Sequence, residues 1–298
     1  MTIFSKILNS PYLALTMVPL IWGSNFIIAK QLVKTLPPFA LTTGRFAVAF
    51  LCLLPLFLYY RTKHPVKKMS AKTWGVLIFL GITGVFAFNT LLYAGLKQTS
   101  PVNATLINAF NPTLTILLSI FILGEKLRGQ QIIGLILSFI GVVWIAVQGQ
   151  LDKLSNLAIN QGDLFILGGA LAWAIYSIWV KKVVPIVSPL VITTFSMFFG
   201  LLLLFPATYI ESTFQPAGPL TWKSVLALIY LGIFPSVIAF LLWNRGIAQV
   251  GPGKASMFYN LLPLFVAIMS YLVWGEIPQD YHLIGGTMIL FGVFLGTK

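Results

Sequence analysis

The chain has 298 residues, 58% hydrophobic and 8% charged, against about 45–50% and about 25% in an ordinary soluble domain, which excludes a water-soluble fold. Nineteen basic and six acidic residues give a net charge of +13. The basic residues fall between long apolar runs, so the charge reports membrane orientation and not a nucleic-acid partner. Cys52 is the sole cysteine, and His64 and His282 stand far apart without a ligand cluster, so no disulfide framework, metal site, redox chemistry or cofactor is indicated.

A helix of about 20 apolar residues crosses a hydrocarbon core of about 30 Å with its backbone polar groups internally satisfied. The first apolar run is too long, and lacks the cleavage site, for a signal peptide, and is expected to stay as a membrane helix. Ten spans are predicted: 12–31, 38–60, 74–96, 101–123, 129–148, 162–181, 188–210, 222–244, 253–275 and 281–297. The fold class expected is an all-α integral membrane protein. The longest connectors, 61–73 and 149–161, leave no room for a soluble domain, so function must reside within the bundle.

Placing the start of the chain in the cytoplasm puts Lys6, Arg61, Lys63, Lys67, Lys68, Lys72, Lys126, Arg128, Lys181, Lys182, Arg245, Lys254 and Lys298 inside. Only Lys30, Lys34, Lys97, Lys153 and Lys223 then lie outside, and Arg45 lies within a span. That bias predicts both termini in the cytoplasm.

A shift of 151 residues superposes the two halves without a gap. Trp22 falls on Trp173, Pro38 on Pro189, Gly81 on Gly232, Gly95 on Gly246, Pro112 on Pro263, Gly124-Glu125 on Gly275-Glu276, and Gly141 on Gly292. Each half, 1–150 and 151–298, holds five spans, an odd number, so the second copy must enter the bilayer from the opposite side. Charge agrees: the loop carrying Arg61, Lys63, Lys67, Lys68 and Lys72 corresponds to a segment whose only basic residue is Lys223. Inverted repeats recur in secondary transporters, with substrate held near the midplane between the copies.

The run Trp22-Gly23-Ser24-Asn25-Phe26, the Arg45-Phe46 pair, Pro101 and Pro112 around the fourth span, and Gly124-Glu125 before a glycine-rich fifth span resemble the EamA-type transporters of the drug/metabolite transporter superfamily. The resemblance covers nearly the whole chain. It implies export of small metabolites, commonly amino acids and sometimes drugs, through a central cavity of alternating access at the inner membrane.

Ionisable side chains deep in a bilayer are functional candidates, yet no Asp or Glu falls near the centre of a predicted span. Glu125 and Glu276 stand at the starts of the fifth and tenth helices, where a carboxylate complements exposed N–H groups and the positive dipole end. Arg45 is the one basic residue clearly within a span; it would engage a substrate carboxylate, hold carbonyls at an outer gate, or snorkel to the interface. Asn25, Asn89, Asn103, Asn108, Asn111 and Asn260 place amides where hydrocarbon offers no partner; they either bind cargo or join helices.

Trp22, Phe88, Tyr93, Trp173, Tyr176, Trp243 and Tyr259 are the aromatic candidates for a cavity wall, while Trp74, Trp222 and Trp274 suit the interfacial belts. The substrate-binding set expected is therefore Trp22, Asn25, Asn89, Tyr93, Asn108, Trp173, Tyr176, Trp243, Tyr259 and Asn260, with Arg45, Pro112 and Pro263 as gating residues. Pro19 and Pro235 also kink their helices. Gly134, Gly141, Gly285, Gly286 and Gly292 permit close packing, either within the chain or in a homodimer.

The reading is a secondary transporter exporting amino acids or related small metabolites, with the lipid bilayer and the cargo as partners. Multidrug efflux is the alternative among carriers, weakened by the lack of a buried acid; a passive channel is the other. A membrane enzyme would need a nucleophile, metal cluster or acid/base pair, and none stands at convincing spacing.

Overall fold

A computed structural model describes residues 10–64, 68–99, 101–155, 160–275 and 277–298. Lys6, Lys67 and Glu276 lie outside the described residues, as do the side chains of Phe26, Lys30, Pro101, Asn103 and Trp274. The helical segments are α1 Pro11–Leu32, α2 Pro38–Lys63, α3 Ala71–Gln98, α4 101–123, α5 Gly129–Ala146, α6 Gln161–Val183, α7 Pro189–Phe214, α8 Trp222–Val250, α9 252–274 and α10 Asp280–Thr297. A short helix, Asp152–Ser155, sits between α5 and α6. Among the described residues nine helices are long and apolar enough to cross a membrane. The tenth, α10, opens on the polar run Asp280, Tyr281, His282.

Local chemistry sets the helix boundaries. The Ser10, Ser70 and Thr221 hydroxyls accept backbone N–H groups of the first turns of α1, α3 and α8, and Asn160 with Asp163 forms a capping box on α6. Proline opens α1, α2, α7 and α9, where its missing N–H costs nothing. Gly124 (φ 68°) and Gly275 (φ 71°) end α4 and α9 in the left-handed region. Glu211, buried in the last turn of α7, accepts the N–H groups of Phe39 (3.1 Å) and Ala40 (2.9 Å) and so caps α2 from another helix.

Four helices are irregular, in repeat-related pairs. Helices α3 and α8 carry wide π-turns over Gly81–Ala87 and Gly232–Ile238, which the sequence pattern did not predict. Both begin at a glycine that admits a neighbouring helix: an added methyl at Gly81 would lie 2.8 Å from the Gly200 nitrogen, and at Gly232 2.5 Å from Val48. Helix α4 breaks between Pro101–Asn108 and Asn111–Leu118, and α9 narrows to a 3-10 turn at Phe258–Leu261. Pro112 and Pro263 stand at the starts of the resumed helices. With no N–H, Pro112 leaves the Asn108 carbonyl without its usual helical donor, while the Tyr259 carbonyl, which Pro263 likewise cannot serve, accepts from the Leu262 N–H.

Helix α1 packs against α8 and α9, and its counterpart α6 against α3 and α4. Helices α5 and α10 pack antiparallel: Gly134 meets Gly292 and Gly296, while Gly141 meets Gly285, with added methyls landing 2.4–2.6 Å from backbone atoms. These glycines thus serve contact within the chain. Helices α2 and α7 are also antiparallel, pairing Thr43 with Thr208 and Phe57 with Phe195.

Two sequence expectations are corrected. Helix α8 runs to Val250 and not 244, so Arg245 lies in its last turns and not in a connector. Glu125 does not cap α5, whose first turn is closed by Gln131 bonding back to Arg128. It lies instead against the start of α9, its oxygens 2.9 and 3.0 Å from where methyls on Gly251 and Gly253 would stand. The reason is the tight left-handed turn at Gly124, which carries the carboxylate away from its own following helix.

Candidate functional site

A cavity of about 780 Å³ lies between α1, α3, α4, α5, α9 and α10. Val33, Thr99, Gln148 and Gln279 mark its mouth, at the end of the bundle opposite Pro11 and Lys298. Its wall is largely aliphatic, and no carboxylate lines it among the described residues. Polar side chains line both ends, Thr99, Gln148, Gln279 and His282 toward the mouth and, deeper, Asn108, Tyr259 and Asn260 at the irregular turns of α4 and α9, with Pro263 beside them. These irregular turns set their side chains on the wall.

Beneath Tyr259 an aromatic layer closes the interior. The Trp22 ring stands 5.7 Å from Tyr259, 5.1 Å from Trp173 and 5.4 Å from Trp243. Trp173 also meets Phe88, Tyr176 and Phe240. Trp22 donates Nε1–H to the Pro235 carbonyl (3.1 Å) and Trp243 to the Ser177 hydroxyl (3.2 Å). Trp173 Nε1 has no hydrogen-bond partner among the described residues. Such a layer of interlocked rings excludes water and ions.

Arg45 neither snorkels nor meets a carboxylate. It is 2% exposed, with Nε donating to Ser236 Oγ at 2.6 Å. One terminal nitrogen donates to Asn25 Oδ1 (3.3 Å), Asn89 Oδ1 (3.2 Å) and the Tyr93 hydroxyl (2.7 Å). Among the described residues its partners are all neutral. The guanidinium thereby ties together α1, α2, α3 and α8. In the second half the Asn244 amide bonds the Tyr176 hydroxyl (2.8 Å) and Thr193 Oγ1 (2.9 Å).

Of the residues expected at the site, Asn108, Tyr259, Asn260 and Pro263 line the cavity. Trp22, Trp173 and Trp243 form the layer below it, Asn25, Asn89 and Tyr93 hold Arg45, and Tyr176 holds Asn244. Pro112 is buried behind the wall, and Asn111 joins α4 to the Ala170 carbonyl of α6. Sequence reasoning missed Asn244, Ser236, Thr193 and Phe240. The repeat itself flags Asn244, the counterpart of Tyr93, just as Tyr176 is the counterpart of Asn25.

The profile of the EamA-like transporter family matches residues 9–147 and again 160–297. The chain belongs to this family. It is thus a multi-pass membrane transporter of a small-molecule substrate, not an enzyme, with a duplicated family domain. This EamA protein is 33% identical to the uncharacterized transporter YyaM of Bacillus subtilis (strain 168), over 95% of the chain and 92% of that protein. It is 25% identical over 77% of its length, and 75% of the relative's, to a protein of Streptantibioticus cattleyicolor named probable terminal-alkyne amino-acid exporter. A crystal structure covering 96% of both chains superposes with a TM-score of 0.77 at 21% identity, a likeness of fold alone.

Proposed function

We propose that this EamA protein exports amino acids or related small metabolites across the inner (cytoplasmic) membrane by alternating access, with residues 1–150 and 151–298 as inverted five-helix repeats. Antiparallel packing of the repeat-related pairs α5 with α10 and α2 with α7 supports inversion. Arg61, Lys63, Lys126, Arg128, Lys181 and Lys182 gather at the end bearing Pro11 and Lys298, which favours that end as cytoplasmic.

The observation that carries the reading is the cavity itself: open at the opposite end, it stops at the aromatic layer and draws its deepest polar groups from repeat-related turns of α4 and α9. A rocking motion that exchanges the roles of the halves would close this mouth and open an equivalent one on the cytoplasmic side. Cargo drives the exchange only through contacts that differ between the arrangements. The relative named as an amino-acid exporter points to the cargo class.

The test is flux. Purified protein in liposomes, loaded in turn with several amino acids and assayed with and without a pH gradient, is expected to show saturable transport of at least one of them. The absence of saturable flux for every amino acid would overturn the amino-acid reading, and non-saturating flux would indicate a channel.

A further inference from the structure

The deep part of the cavity is built of hydrogen-bond acceptors. Asn108 and Asn260 are 5% and 1% exposed, and both line it. Each amide spends its Nδ2 inside the protein, Asn108 on the Ala104 carbonyl at 2.9 Å and Asn260 on the Ser138 hydroxyl at 2.8 Å. Each leaves its Oδ1 buried with no hydrogen-bond partner among the described residues. A buried unpaired oxygen is costly, and one from each half, on residues of the same wall, leaves two acceptors without a donor among the described residues.

The backbone adds charge of the same sign. The first piece of α4 ends at Asn108, so the electronegative end of a helix reaches the cavity there. Pro112 withholds the N–H that the Asn108 carbonyl would otherwise receive, whereas the Tyr259 carbonyl accepts from the Leu262 N–H. Discontinuous membrane helices turn such carbonyls and C-terminal ends toward positive ligands. A carboxylate at this spot would hold a cation by full charge; neutral amide oxygens hold it by directed hydrogen bonds and release it more readily.

We propose that Asn108 and Asn260 form the recognition subsite for a protonated amino group of the cargo, each Oδ1 accepting one of its N–H bonds. The proposal rests on the carrier reading and specifies what the carried molecule must possess.

Binding to the purified full chain in detergent, read by thermal shift and calorimetry, tests it apart from flux. The probes are alanine, leucine and phenylalanine; their decarboxylated amines ethylamine, isoamylamine and phenethylamine; and the matching acids propionate, 4-methylpentanoate and 3-phenylpropionate. At least one amine and its amino acid are expected to bind, and the acids are not. Asn108→Ala and Asn260→Ala are expected to weaken amine binding at least tenfold, and the nearly isosteric Asn260→Asp to tighten it. Replacing sodium with N-methylglucamine leaves amine binding unchanged.

Acids binding as well as amines, amine binding indifferent to all three substitutions, binding that follows sodium instead, or no binding of any amine would each overturn the subsite. Amine binding without saturable flux would uphold the subsite and overturn the carrier reading; saturable flux with acids preferred would do the reverse.

Discussion

Arg45 and Ser196 occupy equivalent places in the two halves, and their surroundings explain why only one is charged. Asn25, Tyr93, Asn89 and Ser236 hold Arg45; their counterparts are Tyr176, Asn244, Phe240 and Val85. The asparagine–tyrosine pair survives in both halves with its members exchanged, bonded at 3.1 Å in the first and 2.8 Å in the second. The remaining pair of acceptors has become a phenyl ring and an isopropyl group. A cation is therefore housed by a set of four side chains and not by one substitution, and the set around Ser196 lacks two of them. Since Ser236 belongs to the second half and Arg45 to the first, the charged cluster also stitches the halves together.

The largest effect should follow from forcing the second half to imitate the first. Ser196 is fully buried, its hydroxyl donating to the Ile192 carbonyl at 2.7 Å, and its backbone oxygen presses on Gly81. Ser196→Arg would bury a guanidinium beside Phe240 and Val85, combining overpacking with a poorly solvated charge, at a cost above about 4 kcal/mol. Little folded protein should accumulate on size-exclusion chromatography. The converse, Arg45→Ser, leaves Asn89 Oδ1 as the one clear orphan, because Asn25 keeps Tyr93 and Ser236 still donates to the Leu231 carbonyl. It should fold, with stability lower by about 1–3 kcal/mol. If Ser196→Arg folds as well as Arg45→Ser, the four side chains around Arg45 are not what houses its charge.

Smaller effects separate the exchanged pairs. Asn244→Leu removes the amide bonded to both Tyr176 and Thr193, while Thr193 retains its bond to the Pro189 carbonyl. The loss should be about 1–2 kcal/mol, in the range of interhelical hydrogen bonds in membranes. Asn25→Leu should cost less, because Arg45 continues to hold Tyr93 at 2.7 Å. Thermal unfolding of both variants in one detergent decides it: an Asn25→Leu loss equal to or above that of Asn244→Leu would deny Arg45 that supporting part.

How far the molecule could be read in advance follows from which rules are local. Helix positions depend on runs of apolar residues and on Ser, Asn, Pro and Gly at the ends, so most predicted spans begin and finish within a few residues of α1–α10. The offset aligning Pro112 with Pro263 pointed to the breaks in α4 and α9. The π-turns of α3 and α8 were hidden, because one extra residue in a helical turn leaves composition unchanged and is set by how Gly81 and Gly232 meet α7 and α2. Amides posed the same difficulty: Asn89 and Asn108 look alike in sequence, but only Asn108 reaches the cavity, the other being drawn to Arg45. A face on an irregular helix is a tertiary property. The capping role of Glu125 was foreseen in kind but assigned to the wrong helix, since a connector's direction is decided by its turn.

Glu125 offers another contact between the halves, at the end away from the cavity mouth, and the gentlest test of how much such contacts depend on charge. Burial pushes its carboxyl above the ordinary value near 4.5, opposed by the charge of Lys181, the Ser119 hydroxyl and the backbone at Gly253. A carboxyl raised in the folded state binds more protons than the unfolded chain between 4.5 and the raised value. Stability should therefore fall as pH rises through that window and level off above it. Because the group is only half buried, the swing should stay below about 1 kcal/mol. Glu125→Gln should remove that part of the slope and leave the rest of the pH profile intact, as read from melting temperatures in detergent across acidic to neutral pH. A slope unaltered in Glu125→Gln would relieve Glu125 of the pH dependence; a change of opposite sign would mean that Lys181 and the α9 backbone outweigh burial, making the carboxylate a charged clasp between the halves like Arg45, and not a tolerated acid.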